Sequence, residues 1–206
     1  MTSRTNSDRT RTIAVTGMLL AVMLMITFMP FLNFQIGPFR VTLLHIPVLI
    51  GVVVEGLPVG MGLGLAFGLI SMIRAYITPT VTSFVFQNPL ISVLPRMLFP
   101  LAAWLILRAL RGMKRGVGGN EFASYSITAL CGTLIHGVMV LGLIYFVYGK
   151  AYGEALKLEN GLAAVRGTLA LTTLTNGVPE SIVAAILIPA VANALKRAGL
   201  TPKAGL

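Results

Sequence analysis

Charge is what this sequence has least of: only 11% of its 206 residues are Asp, Glu, Lys or Arg, and just six of them are acids. A soluble domain of this size carries about 25% charged residues, so a fold that faces water on all sides is excluded. Cysteine is nearly absent. The lone Cys131 rules out an intrachain disulfide framework and a cysteine metal site, and it reads as a small buried residue. Catalytic and nucleotide signatures are missing as well: there is no Gly-x-x-x-x-Gly-Lys-[Ser/Thr] phosphate loop, no His-Glu-x-x-His and no Gly-x-Ser-x-Gly. No enzyme activity and no cofactor is implied, and any ATP-driven work has to come from another chain.

Hydrophobicity takes the place of charge, with 56% of residues apolar and a mean hydropathy of +0.88. Such a chain has lipid as its solvent. Inside a bilayer every backbone polar group must be satisfied internally, and long apolar runs without strict alternation achieve this as helices rather than as a barrel. The sequence therefore predicts an all-α polytopic membrane protein. The net charge of +10 does not point to nucleic acid, because the basic residues sit in short tracts between apolar runs, as membrane flanks do.

Six spans are predicted, at 13–32, 41–54, 59–77, 89–110, 122–148 and 168–195. They form one membrane domain over 12–197, between tails at 1–11 and 198–206. The second span is short and contains Pro47, so it is expected to be kinked or shielded by its neighbours. The turn Glu55-Gly56-Leu57-Pro58 makes a tight hairpin with the third, and 149–167 reads as a short interfacial helix. In this arrangement ten of the sixteen Lys and Arg lie on the side that holds both termini. The positive-inside rule makes that side the cytoplasm.

Ionisable residues inside spans carry the most functional information, since a charge at mid-bilayer costs about 2.5–3.5 kcal/mol even on the lenient insertion scale. Arg96 and Glu180 need a reason to be there. Asn176 lies one turn from Glu180 and His136 at a similar depth, while His45, Asn88 and Tyr145 sit nearer the outer rim and could complete a pocket. Arg96 and Glu180 could equally form a structural ion pair, and the histidines could be packed core residues. A cavity with one fixed cation and several amide and aromatic groups suits a small polar solute that bears a carboxylate. Gly56, Gly60, Gly64 and Gly68 recur every four residues on the third span, and Gly17 and Ala21 form a shorter pair on the first. Such stripes serve either intrachain packing or the docking of a partner subunit.

The stretches His45-Ile46-Pro47-Val48-Leu49-Ile50-Gly51, Phe67-Gly68-Leu69-Ile70-Ser71 and Asn88-Pro89-Leu90-Ile91-Ser92-Val93-Leu94-Pro95-Arg96, together with length and span layout, resemble the substrate-binding components of energy-coupling factor vitamin transporters. The subgroup is that of the pantothenate, riboflavin and folate binders, with pantothenate favoured and another vitamin such as niacin as an alternative. A membrane enzyme or assembly factor is the competing class. The resemblance implies a vitamin pocket near the outer side, capped by the loops after spans one and three. It also implies a transmembrane coupling subunit, two cytoplasmic ATPase subunits, and bodily reorientation in the membrane to release the vitamin. Gly17 and Ala21 match the family's small-residue contact with the coupling subunit, although Gly stands first where Ala is commoner.

Overall fold

The computed structural model describes residues 6–29, 35–36, 39–40, 43–113, 119–159 and 161–198. Its helices are α1 (Asn6–Phe28), α2 (His45–Glu55), α3 (Leu57–Ile77), α4 (Pro89–Ser92), α5 (Leu94–Gly112), α6 (Glu121–Ala155), α7 (Gly161–Thr172) and α8 (Val178–Arg197). A 3-10 turn, Ser83–Gln87, precedes α4, and a π-helical turn, Thr173–Gly177, joins α7 to α8. Two residue pairs, β1 (Gln35–Ile36) and β2 (Phe39–Arg40), form an antiparallel ribbon between α1 and α2. The protein is all-α and polytopic. Five helical stretches, Arg9–Phe28, Leu57–Ile77, Pro89–Gly112, Glu121–Ala155 and Gly161–Arg197, are long and apolar enough to cross a membrane, and α2 is a shorter apolar sixth.

Eleven residues of α2 rise only about 16 Å against a hydrocarbon core of about 30 Å. Shielding by neighbours makes this tolerable, because every residue of α2 is buried. Pro47 falls in its first turn, where a missing N–H costs nothing, so it does not kink the helix. Glu55 closes α2 at the end where the helix dipole disfavours an anion. It is fully buried, and α1 compensates it: Arg11 Nη2 lies 3.3 Å from Oε1 and the Thr12 hydroxyl donates to Oε2 at 2.8 Å. The stretch read as an N-terminal tail is thus helical from Asn6.

Each glycine of the α3 stripe has its own neighbour. Gly56, at φ +94°, makes the turn out of α2, a conformation that side chains resist. A Cβ on Gly60 would stand 2.3 Å from Val52 Cγ2, on Gly64 2.1 Å from the Arg96 carbonyl oxygen, and on Gly68 2.7 Å from Val93 Cα. The stripe packs α3 first against α2 and then against the start of α5. The assignment of Gly60 and Gly64 to a partner subunit is therefore corrected: both are buried within the chain.

Among the described residues of 149–167 no separate interfacial helix is found. Those residues belong instead to the end of α6, a short turn and the start of α7. Close packing explains the difference, since Gly149 and Gly153 receive Leu162 and Val165 of α7. The two helices therefore stay paired well past the apolar runs.

Candidate functional site

A cavity of about 220 Å³ opens among α3, α5, α6 and the α7–α8 helix. Its polar wall is built from Arg96 on α5, Thr133 and His136 on α6, and Thr172, Asn176 and Glu180 along α7, the π turn and α8. Ser71 and Arg74 of α3 complete it, with Thr82, Ser83 and Phe86 around the 3-10 turn.

Two prolines shape this wall. Pro95 has no N–H, so the Ile91 carbonyl four residues back loses its helical donor. The Arg96 guanidinium supplies one, donating from Nη1 to the Ile91 oxygen. Arg96 is otherwise held by the Phe67 and Phe86 rings, with Cζ 5.5 and 5.2 Å from their centroids. Among the described residues its contacts are a carbonyl and two rings, and none is a carboxylate. On α8, Pro179 similarly leaves the Thr175 carbonyl without its donor, and the chain widens into the π turn, where the Val178 N–H reaches the Thr173 carbonyl. That turn brings Thr172, Asn176 and Glu180 to the same cavity.

Several polar atoms of these residues have no hydrogen-bond partner among the described residues. Arg96 Nε, Thr133 Oγ1, His136 Nε2 and Asn176 Oδ1 are buried and accept or donate no hydrogen bond among the described residues. Buried polar groups are nearly always satisfied, and an unpaired one costs about 1–3 kcal/mol. The four residues that carry these atoms all line the one cavity.

Of the residues singled out from the sequence, Arg96, His136, Asn176 and Glu180 line the cavity, while His45, Asn88 and Tyr145 do not. His45 is wholly buried behind His136, with ring centroids 6.3 Å apart, and His136 itself packs on Phe99 at 4.8 Å. Asn88 caps α4 by accepting from the Leu90 N–H and donates to the Tyr148 hydroxyl at 3.2 Å. Tyr145 packs edge-on against Phe146 in a second apolar cluster. Sequence reasoning missed Thr133, Thr172 and Arg74. Helical spacing could have found two of them, because Thr133 stands three residues from His136, and Thr172, Asn176 and Glu180 are four apart. On α1, by contrast, Gly17 and Ala21 are exposed, and a Cβ on Gly17 would meet nothing within 4 Å.

A cavity in the helical bundle, lined by Arg74, Arg96 and neutral polar side chains, is where a membrane protein of this kind would bind a solute. The family model described as "ECF transporter, substrate-specific component" matches residues 11–192, and the chain belongs to that family. It is also similar to the pantothenic acid transporter PanT of Lactococcus lactis subsp. cremoris (strain MG1363), at 29% identity over 202 residues, covering 90% of this chain and 94% of that protein. This is a multi-pass protein of the cell membrane, a substrate-binding subunit that works with the other parts of an ECF transporter, and not an enzyme.

Proposed function

We propose that this subunit binds pantothenate from the outer side of the membrane. It delivers the vitamin inward together with a transmembrane coupling subunit and two cytoplasmic ATPase subunits. The observation that carries the reading is Arg96, a residue 5% exposed whose Nε has no hydrogen-bond partner among the described residues, lining a cavity together with Thr133, His136 and Asn176, which also carry unsatisfied atoms. A carboxylate accepts such N–H groups in pairs. The similar Lactococcus protein is a pantothenic acid transporter, which supports the same substrate. Mass spectrometry of small molecules retained by the purified protein is expected to find pantothenate, and another vitamin in its place would overturn the assignment.

The exposed Gly17 and Ala21 face of α1 is the contact for the coupling subunit in this reading. Gly17→Leu adds bulk where nothing in the chain is touched. Co-purification of the coupling and ATPase subunits is expected to fall several-fold while pantothenate binding by the isolated subunit is unchanged. Full recovery of the complex would remove α1 from the interface. Both termini are cytoplasmic in the same reading, so a topology reporter at Asn120 is expected to read inside and one at Glu154 outside.

A further inference from the structure

The cavity has two chemically different walls, and the proposed substrate has two different ends. Arg96 stands on α5. Asn176 and Glu180 stand on the π turn and α8, one helical turn apart. A substrate carboxylate is drawn to the Arg96 guanidinium on α5. Its neutral end is left to face α8.

Asn176 is the group best placed to read that end. It is 7% exposed, it lines the cavity, and its Oδ1 has no donor among the described residues. Whichever way the amide is turned, it offers an acceptor and a donor side by side. A hydroxyl or an amide is the ligand group that satisfies both. An aliphatic group there would leave the Asn176 amide buried and unpaired, and polar sites of this kind reject analogues that lack the matching group.

We infer that Asn176, presented by the π-helical turn, is a specificity-determining residue that hydrogen-bonds a hydroxyl at the end of the substrate remote from its carboxylate. Of the charged or titratable side chains on the cavity wall, Arg74 and Arg96 only donate, the Glu180 carboxylate only accepts, and the His136 ring is packed against Phe67 and Phe99, whereas the Asn176 amide is neutral and two-faced. The inference rests on the pantothenate reading above, and its test separates the two.

The experiment measures the binding of three probes to the purified subunit: pantothenate, its alcohol analogue in which the carboxylate is replaced, and a dideoxy analogue in which both hydroxyls are replaced by hydrogen. Wild type is expected to prefer pantothenate over the dideoxy analogue by roughly tenfold to a hundredfold. Asn176→Leu, close to isosteric, is expected to lose most of that preference while still favouring the acid over the alcohol, which shows the Arg96 wall to be intact. If Asn176→Leu binds nothing, Asn176→Ser is judged by the same criterion. An Asn176 variant that keeps the wild-type discrimination against the dideoxy analogue overturns the inference and leaves the pantothenate reading standing. Wild type that binds none of the three probes overturns both.

Discussion

Arg96→Ala is expected to weaken pantothenate binding by at least about a hundredfold. A charge-assisted hydrogen bond contributes about 1.5–3 kcal/mol, and a planar fork makes two of them to one carboxylate. At about 1.4 kcal/mol per tenfold, even one such bond at the upper end reaches that loss. Affinity alone does not isolate the cause, since Arg96 also covers the Ile91 carbonyl and packs on Phe67 and Phe86. Truncation could act through any of these. The comparison of pantothenate with its alcohol analogue removes the ambiguity, because the two differ only at the carboxylate. Wild type should prefer the acid, and Arg96→Ala should bind both equally weakly. Arg96→Lys keeps the charge but not the fork, so it should fall between them. Should wild type bind the alcohol as tightly as the acid, Arg96 is a structural residue and the anchor lies elsewhere.

Gly64→Ala is expected to cripple the protein, although it adds one methyl group in mid-helix. The new Cβ would lie 2.1 Å from the Arg96 carbonyl oxygen and 3.1 Å from Pro100 Cγ. Backbone cannot swing aside as a side chain can, so α3 and α5 must separate. Overpacking of this kind costs about 1–3 kcal/mol and occasionally more, and here it also shifts the residue that presents the guanidinium. Thermal unfolding in detergent should show a drop of several degrees, accompanied by weaker pantothenate binding. Gly62→Ala is the matched control: it lies on the same helix, is exposed, and would meet nothing within 4 Å. Equal stability of the two variants would mean that α3 and α5 do not depend on this approach.

The same glycine stripe shows where reading the sequence stops. Spacing of four residues announces a small face on α3 but is silent on what occupies it, since packing within a chain and docking of a partner both require close backbone approach. Only the fold assigns Gly60 to Val52 and Gly64 to Arg96. The pocket divides in the same way. Arg96, His136, Asn176 and Glu180 could be picked out because a polar group inside an apolar run is costly wherever it stands. Asn88, His45 and Tyr145 were picked for their place near the outer rim and lie off the cavity: Asn88 is tied to Tyr148 and His45 lies behind His136, contacts between distant parts of the chain, while Tyr145 packs on its own neighbour Phe146.

Membrane residence and all-α class followed from the sequence by itself, because the cost of placing a residue in lipid is paid residue by residue and sums along a run. The number and order of the apolar segments followed for the same reason, with boundaries shifted where helices continue beyond the hydrocarbon core, as α6 does to Ala155. The tertiary structure decided everything that depends on residues far apart in the chain. It settled that Glu55 is buried against α1, that α6 and α7 pair through Gly149 and Gly153, and that Arg96, Thr133, His136 and Asn176, each with a buried unsatisfied atom, line one cavity. A hydrogen bond that is missing can be recognised only when every possible partner has been placed.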